Sequence, residues 1–381
     1  MKITAVRTHP FSAPLEEPLF TAQEALKDSS ILLVEVQTDQ GITGYGEIKG
    51  SPMKAIAEWV ARFGDVIQGA DPLAHEIIWN RLFNLTVPRP RAMYGGDAFP
   101  PVPRPARPQV MSAIGGIDLA LWDIKGKAAG MPVYSLLGGG RRPIFTYSTG
   151  GYYPRDATID TAVKEMVSFV EKGYRAVKLK TGGFSVDEEI QRVAAVRDAI
   201  GPGIGLMIDN NAAFGLNDAV RFSRGIERYD ITWFEEPLHW YLQPKDYAQL
   251  AAETRIPLSH GEREIHRFTV RDFIEFGAIK YLQFDSTRAA GFTEAIRVAQ
   301  LAEQHGVLVV PHHSPELHGH LVVAMPEVGY CVESHASPNR DPLRHHLYRH
   351  DVAFRDGYLH LGEKPGWGIE IDWKAVERFR V

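Results

Sequence analysis

The alternation of short apolar runs with helical patterns constrains the fold of this chain more than any other feature. Eight such runs occur, and from the second onward they start at residues 176, 205, 231, 257, 279, 307 and 329, which are 22 to 29 residues apart. The runs read IFTYSTGG, AVKLK, GLMIDNN, ITWFEEP, PLSHGE, IKYLQFD, VLVVPHH and GYCVES. Continuous apolar strands separated by helices are typical of repeated β/α units in a parallel sheet.

Local signals support helices between these runs. Ser185 and Glu188 form a capping box before one helix, and Gly201 stands at its far end. Another apolar face at helical spacing begins at Ile159 and stops at Gly173. Because no GxGxxG follows the first strand, an open dinucleotide-binding sheet has no support. The predicted fold class is therefore α/β, with eight parallel strands closed into a TIM-type barrel.

The regions on either side of the barrel pattern read differently. At the N-terminus, alternating strand patterns with a turn at Asp39–Gly41 predict an antiparallel meander, followed by a helical stretch near Met53–Phe83. The C-terminal tail is polar and carries short strand patterns. We expect residues 1–120 to form an α+β capping domain, residues 121–344 the barrel, and residues 345–381 a segment that packs back on the cap.

The loops give weaker signals. A Pro/Arg-rich segment over residues 87–109 has prolines that exclude a regular helix or a central strand. Its arginines are Arg89, Arg91, Arg104 and Arg107. We interpret it as an ordered surface loop or subunit contact, with a basic lid over an acidic substrate as the alternative. Loops Leu15–Lys27 and Arg89–Tyr94 are expected to close over the barrel mouth, and Trp240 and Tyr241 either line the site or fill a helix interface.

Composition excludes several classes of protein. Apolar residues make up 44% of the 381 residues and the net charge is −5 with both signs interspersed, which argues against disorder and against nucleic acid or an anionic membrane as partner. Cys331 is the one cysteine, so no intrachain disulfide can form and a cytoplasmic location fits. No secretory leader is visible in MKITAVRTHP, and no run of about 18 apolar residues could span a membrane.

Ionisable residues gather at the C-terminal ends of the predicted strands, where β/α barrels place their active sites. They are Lys178 and Lys180 on the second strand, Asp209 on the third, Glu235 and Glu236 on the fourth, Glu262 on the fifth, Asp285 on the sixth, and His312 and His313 on the seventh, with Glu316 just beyond. Three of them, Asp209, Glu235 and Glu262, fall on successive strands, where converging carboxylates repel. A hard divalent cation bound between the three carboxylates would offset that repulsion, and Mg²⁺ prefers oxygen ligands of this kind. The alternative, that the three residues are helix caps or surface charges, explains their positions on successive strands less well.

Two candidate bases accompany the carboxylates. Lys178 and Lys180 are two residues apart and point to one face of their strand, so their mutual repulsion predicts a lowered pKa for at least one of them and a role as general base. The alternative is a pair of structural lysines on a surface strand. Asp285 and His312 lie on neighbouring strands, where the carboxylate can fix the tautomer of the imidazole.

The run PHHSPELHGH allows a zinc site as another interpretation. Its ligands would be His312, His313, His318 and His320. The run lacks HExxH and no thiolate accompanies it, so zinc is the weaker hypothesis. His318 and His320 are better placed on the helix that follows the seventh strand, and His313 can serve as a wall of the site.

Taken in order, the motifs resemble the mandelate racemase group of the enolase superfamily over nearly the whole chain. The motifs are GGIDLALWDIKGKAAGMPVYSLLGG at 115–139, KxK at Lys178–Lys180, IDNN around Asp209, WFEEP around Glu235, HGE around Glu262, QFD at Asp285 and PHH at His312. The resemblance implies a modified (β/α)7β barrel with an α+β N-terminal cap, and Mg²⁺ held by Asp209, Glu235 and Glu262. It also implies a homo-oligomer, commonly a dimer or an octamer.

The same resemblance implies roles for the other residues. Lys180 is the base on one face of a hydroxy-acid substrate, and the His312–Asp285 pair is the acid or base on the opposite face. Glu316 resembles the position of a carboxylic acid that hydrogen-bonds the substrate carboxylate. Lys178 lies with the metal near the enediolate that forms when the α-proton leaves.

The expected reaction is dehydration of a sugar acid to a 2-keto-3-deoxy acid. Racemisation or epimerisation and lactone cycloisomerisation are the alternatives, because KxK and a His–Asp pair serve all of them. A non-catalytic binding barrel is a lower alternative. The chain departs from many relatives at QFDSTRAAG, which lacks a proline before Asp285, and at His260 and Arg263 beside Glu262, so the substrate is left open.

Overall fold

The computed structural model describes residues 1–87, 89 and 99–381 of the chain. Arg91 and most of the predicted Arg89–Tyr94 loop lie outside the described residues. The middle of the Pro/Arg-rich segment also lies outside the described residues. Its roles as a surface loop, a subunit contact or a lid therefore stay predictions. Within the described ranges, no helix is long and apolar enough to cross a membrane.

The N-terminal region is a three-stranded antiparallel sheet covered by helices. The strands, in the order β1-β2-β3, are β1 (Ile3–Phe20), β2 (Ala25–Thr38) and β3 (Thr43–Ile48). The helices are α1 (Met53–Ile67), α2 (His75–Asn84) and α3 (Arg107–Ala129). The predicted meander is therefore present, but the single helical stretch is two helices. Gly69 in the left-handed region and Pro72 lie between them and break the helical pattern.

Helix α3 packs closely against the N-terminal sheet. A side chain at Gly46 would collide with the backbone oxygen of Gly116, and a side chain at Gly116 would collide with Ile48, so both positions of this contact need glycine. The helix ends at Ala129, where Gly130 takes the left-handed conformation of a C-terminal cap. The expected division at residue 120 falls inside α3, and a short helix α4 (Val133–Leu136) leads from it to the barrel.

Eight parallel strands form the barrel, as the sequence predicts. They are β4 (Ile144–Gly150), β5 (Ala176–Lys180), β6 (Gly205–Asp209), β7 (Ile231–Glu235), β8 (Leu258–His260), β9 (Tyr281–Leu282), β10 (Leu308–Val309) and β11 (Cys331–Ser334). Neighbours pair in order from β4 to β10, β11 pairs with β4, and a parallel bridge from Val309 to Gly329 closes the circle. The α/β barrel fold is confirmed.

Seven helices alternate with the eight strands, which gives the (β/α)7β pattern. They are α5 (Ile159–Glu171), α6 (Val186–Ile200), α7 (Leu216–Ile226), α8 (Pro244–Glu253), α9 (Arg267–Glu275), α10 (Gly291–Gln304) and α11 (Pro315–Ala324). Along β5, Val177 and Leu179 face the helices while Ala176 joins an inner cluster with Met207 and Trp233. This inner apolar layer lies below Lys178 and Lys180, so the polar groups are raised to one end of the barrel.

The C-terminal segment joins both other regions. Its elements are α12 (Pro342–Leu347), β12 (Tyr348–His350), β13 (Ala353–Arg355), β14 (Tyr358–His360), β15 (Ile369–Ile371) and α13 (Trp373–Val376). Leu343 and Leu347 of α12 and Val376 of α13 pack with Phe11 and Leu33 of the N-terminal sheet. Strand β14 pairs antiparallel with β4, so the segment also touches the barrel.

Candidate active site

The strand register brings the predicted residues together at one end of the barrel. Lys180 is the β5 partner of Asp209, and Asp209 is the β6 partner of Glu235. Glu262 follows β8 by two residues, and His312 follows β10 by three. Because parallel strands carry these residues at equivalent ends, their side chains meet at the mouth of the barrel.

Asp209, Glu235 and Glu262 form a compact buried group. Each offers a carboxylate oxygen within 4.8 Å of the others. The Oε2 atom of Glu262 is buried and accepts no hydrogen bond. Burial, and after it the charge of Asp209, raises the pKa of Glu235 well above its usual range. Three buried carboxylates that converge fit a hard divalent cation with oxygen ligands.

Both lysines lie against these carboxylates. Lys178 Nζ is 2.8 Å from Glu235 Oε2 and 3.3 Å from Asp209 Oδ2, and Lys180 Nζ is 2.6 Å from Asp209 Oδ2. Burial lowers the pKa of each lysine, but the neighbouring carboxylates raise it more, so both pKa values lie above the usual range. The predicted lowering is wrong, because each ammonium lies within 3 Å of a carboxylate whose charge favours the protonated form.

His312 and Asp285 form the expected pair. His312 Nδ1 is 2.8 Å from Asp285 Oδ2, while Nε2 is 3.1 Å from Glu262 Oε2. The other oxygen of Asp285 accepts hydrogen bonds from the backbone N and the Oγ1 of Thr287, at 2.8 and 2.7 Å. Burial raises the pKa of Asp285, but the hydrogen bond and charge of His312 outweigh burial and hold it below its usual range. An ionised Asp285 thus orients the imidazole with Nε2 toward the carboxylates.

The structure places Glu316 away from this group. It lies in the first turn of α11, where its Oε2 is 2.6 Å from Arg344 Nη1. The carboxylate that joins the group is Glu333 of β11, whose Oε1 is 3.1 Å from Lys178 Nζ and whose Oε2 is 4.0 Å from His312 Nε2. Glu333 is not among the site residues predicted from the sequence. The signal was present, because GYCVES carries a carboxylate at the end of a strand like its neighbours.

The four histidines of the zinc hypothesis do not form one site. His318 and His320 lie on α11, as expected. His318 Nδ1 is 2.7 Å from the backbone oxygen of His313, and its Nε2 is 2.8 Å from Ser286 Oγ. His320 Nδ1 accepts a hydrogen bond from the backbone of Tyr134. The helix histidines are therefore occupied in holding loops together, and the zinc interpretation is wrong for this set.

A cavity of about 500 Å³ lies between the barrel mouth and the β1–β2 hairpin, and we call it the mouth cavity. The hairpin contributes Leu15, Leu19 and Leu26, and the barrel contributes His312 among others. The hairpin tip is tied to the barrel by a 2.9 Å hydrogen bond from Gln23 Nε2 to the backbone oxygen of Ala212. The predicted Leu15–Lys27 loop thus covers the site.

Trp240 and Tyr241 fit neither of their predicted roles. They are 60% and 70% exposed, and their rings stack on each other at 4.5 Å. Neither residue fills a helix interface or lines the mouth cavity.

Comparison with known proteins decides the family. Residues 2–138 match the mandelate racemase/muconate lactonizing enzyme N-terminal domain, and residues 161–375 match the enolase C-terminal domain-like family. The chain belongs to the mandelate racemase group of the enolase superfamily. Members of this group with named activities are lyases and isomerases, and the chain is an enzyme of that superfamily. The hypothesis of a non-catalytic binding barrel is therefore wrong.

Relatives whose activity is known by name indicate the general type of reaction. D-galactarolactone cycloisomerase of Agrobacterium fabrum is 33% identical over 100% of this chain and 99% of its own length. D-galactonate dehydratase of Xanthomonas euvesicatoria is 32% identical over 91% of this chain and 90% of its own. A structure of a mandelate racemase/muconate lactonizing enzyme from a marine actinobacterium in complex with magnesium is 28% identical, covers 100% of this chain and 99% of its own, and superposes with a TM-score of 0.85.

Proposed function

We propose that the protein removes the α-proton of a sugar acid in a Mg²⁺-dependent reaction and then eliminates the 3-hydroxyl, giving a 2-keto-3-deoxy acid. One observation carries the proposal. Two candidate bases reach the same carboxylate group from different strands, with Lys180 Nζ 2.6 Å from Asp209 and His312 Nε2 3.1 Å from Glu262. Bases on two sides of one site suit proton transfer at opposite faces of a substrate carbon.

Asp209, Glu235 and Glu262 would hold the Mg²⁺. When bound, the cation would offset the negative charge that develops on the substrate carboxylate as the α-proton leaves. Their burial and the convergence of their oxygens within 4.8 Å support this assignment. The charge of Asp209 is the main cause that raises the pKa of Lys180. A cation held by Asp209 would offset that charge, so the amine could lose its proton and act as a base.

The remaining groups have roles in binding and proton transfer. Lys180 or His312 removes the α-proton, depending on the configuration at C2, and His312 protonates the departing 3-hydroxyl. Between these two proton transfers, Asp285 stabilises the imidazolium form of His312.

Lys178 would bind the substrate carboxylate, and Glu333, 3.1 Å from Lys178, would take the role expected of Glu316. Burial raises the pKa of Glu333, but the charges of Lys178 and His312 hold it below its usual range. A substrate carboxylate beside Glu333 would raise that pKa, because two carboxylates in one site repel, and the acid form could then donate a hydrogen bond.

Cycloisomerisation is the second candidate, favoured by the similarity to D-galactarolactone cycloisomerase. Lys180 and His312 would act as the bases in this reaction too, but the leaving oxygen would be the ring oxygen of a lactone. The predicted small-molecule partner is a sugar acid in either case. The homo-oligomer and the cytoplasmic location stay predictions.

The proposal is tested with a library of sugar acids and Mg²⁺. Semicarbazide detects the new carbonyl that both eliminations give, and the mass of the product separates them. A product lighter than its substrate by one water selects dehydration, and a product of the same mass as a lactone substrate selects cycloisomerisation. Loss of optical rotation alone selects racemisation. In D₂O, Lys180→Ala and His312→Asn should each lose about 100-fold or more in turnover, since general acid–base groups contribute about 10²–10⁴-fold. Full activity in both variants, with no C2 exchange by the wild type, would refute the scheme.

A further inference from the structure

Two of the carboxylates at the barrel mouth have one oxygen engaged by a hydrogen-bond donor that is not a candidate base. Asp209 Oδ1 accepts a hydrogen bond from the backbone N–H of Asn211 at 3.0 Å. Glu262 Oε1 accepts one from Arg288 Nη1 at 3.0 Å. Their other oxygens instead contact the two candidate bases, at 2.6 and 3.1 Å. Each carboxylate therefore divides its oxygens between a fixed donor and the reacting groups.

Glu235 shows the same division, but its fixed donors are neutral side chains. Its Oε2 accepts hydrogen bonds from Gln283 Nε2 and from Trp233 Nε1, the latter at 3.2 Å. Lys178 Nζ contacts both oxygens, at 2.8 Å from Oε2 and 2.9 Å from Oε1. Because a carboxylate oxygen accepts about two hydrogen bonds, Oε2 is saturated by its three donors, whereas Oε1 can still accept a ligand.

The strand pattern explains why both neutral donors reach Glu235. Trp233 stands two residues before Glu235 on β7, so the two side chains lie on the same face of the strand. Gln283 directly follows β9, which is two strands away from β7 in the sheet, and it stands two residues before Asp285. The amide of Gln283 therefore crosses the barrel interior to bind Glu235.

These two donors are held in place by close packing. Trp233 and Gln283 are fully buried, and so is Tyr147 of β4. The rings of Tyr147 and Trp233 pack edge to face with their centroids 5.3 Å apart, and the Tyr147 hydroxyl donates to Gln283 Oε1 at 3.5 Å. Since the amide oxygen faces the tyrosine, the amide nitrogen faces the carboxylate. The orientation of Glu235 is thus set by the protein before a cation binds.

The number of oxygens that a carboxylate offers affects which cation a site prefers. Mg²⁺ is small, requires nearly octahedral geometry and usually keeps several waters. Ca²⁺ takes about six to eight oxygen ligands and accepts both oxygens of one carboxylate. Carboxylates that each offer a single oxygen leave the other positions of an octahedral cation to water and substrate, which suits Mg²⁺ better.

We propose that Trp233 and Gln283 are positioning residues that hold Glu235 as a one-oxygen ligand through Oε1, and that they thereby make the site prefer Mg²⁺ to Ca²⁺. The inference rests on the proposed function, which assigns Glu235 to the cation. Neither Trp233 nor Gln283 would touch the cation or the substrate. Without their hydrogen bonds, Oε2 would become available as a second ligand, and the larger ion would gain more from it.

The test measures Mg²⁺ and Ca²⁺ binding to the metal-free protein by calorimetry. We expect the wild type to bind Mg²⁺ more tightly than Ca²⁺. Gln283→Leu removes the donor and should weaken Mg²⁺ binding about 10–100-fold, as is usual when a group that orients a metal ligand is lost. Its affinity for Ca²⁺ should change less than about threefold, because both oxygens of Glu235 can then bind. Trp233→Phe should shift the ratio of the two affinities in the same direction.

Trp122→Phe is the matched control. Trp122 Nε1 donates a buried hydrogen bond to Thr293 Oγ1 at 2.9 Å, between α3 and α10. The variant loses a buried indole donor, as Trp233→Phe does, and should change neither affinity. Thermal melts show which variants are folded, and Trp233→Phe decides the test if Gln283→Leu does not fold.

A crystal of the wild type soaked with Mn²⁺ gives a second measurement. The anomalous scattering of Mn²⁺ locates the ion, which shares the oxygen ligands of Mg²⁺. We expect the ion to contact Oε1 of Glu235 and not Oε2. An ion bound by both oxygens overturns the inference.

Glu235→Gln separates this inference from the proposed function. If Glu235→Gln loses Mg²⁺ binding while Gln283→Leu and Trp233→Phe keep the wild-type ratio of affinities, the inference falls and the proposed function stands. Equal weakening of both cations would mean a purely structural role, and a wild type that prefers Ca²⁺ would overturn the inference too. If Glu235→Gln binds Mg²⁺ like the wild type, or the wild type binds none, the proposed metal site falls and the inference falls with it.

Discussion

Two buried clusters of charge in this molecule differ in how their charges are balanced. At the barrel mouth, Asp209, Glu235 and Glu262 lie together and one oxygen accepts no hydrogen bond. The second group, which we call the joint cluster, consists of Glu47, Ser314, Glu316, Arg344 and Tyr348, contributed by the cap, the barrel and the C-terminal segment.

In the joint cluster both carboxylates pair with one guanidinium through different nitrogens. Arg344 binds Glu47 with Nη2 and Glu316 with Nη1, and Ser314 Oγ donates to Glu47 at 3.0 Å. The mouth carboxylates also have lysines beside them, but three of them converge, and after burial the charge of Asp209 raises the pKa of Glu235. The difference indicates that the joint cluster connects three parts of the fold, whereas the mouth retains a repulsion that a ligand can relieve.

The largest expected effect comes from a substitution that breaks the joint cluster. Arg344→Met removes the cation and leaves Glu47 and Glu316 buried without it, so the free energy of unfolding should fall by about 3–5 kcal/mol. The matched control is Arg349→Met, whose side chain is 70% exposed beside Asp372 and should cost at most about 1 kcal/mol. Urea denaturation measures both. Equal losses would mean that the joint cluster contributes no more than a surface pair.

The second prediction compares substitutions of one carboxylate from each cluster. Glu333→Gln should lower kcat/KM about 100-fold, because Glu333 lies 3.1 Å from Lys178 in the group that would bind the substrate carboxylate. Glu316→Gln should lower stability through Arg344 and leave kcat/KM of the folded protein within about threefold. Steady-state kinetics and urea denaturation separate the two variants. The reverse pattern would return the substrate-binding role to Glu316.

Much of the fold could be predicted because its information is local. Buried parallel strands read as apolar runs, so all eight barrel strands were found, and capping boxes such as Ser185 with Glu188 marked the helices between them. The positions of Asp209, Glu235 and Glu262 followed from one rule, that barrel sites lie at the C-terminal strand ends.

The features that could not be predicted depend on contacts between distant parts of the chain. Glu316 stands three residues after His313, but Arg344, 28 residues further on, draws it into the joint cluster. The direction of the lysine pKa shifts depended on distances to carboxylates on other strands, which spacing along one strand does not contain. Glu333 differs from these, because it stands near the end of the eighth barrel strand, where the rule for strand ends places site residues.

The smallest expected effect concerns the pH dependence of stability at the mouth. The hydrogen bond from His312 holds the pKa of Asp285 below its usual value of 3.8, so the folded state is stabilised above that value. This contribution is lost as the pH falls through the folded pKa. The difference in unfolding free energy between the wild type and Asp285→Asn should therefore shrink by about 1 kcal/mol between about pH 5 and pH 3. Urea denaturation without Mg²⁺ measures the difference, with the exposed Asp198→Asn as a control that stays level. A difference that stays constant or widens over this range would mean that Asp285 gains no stability from ionisation, and that His312 is oriented by packing alone.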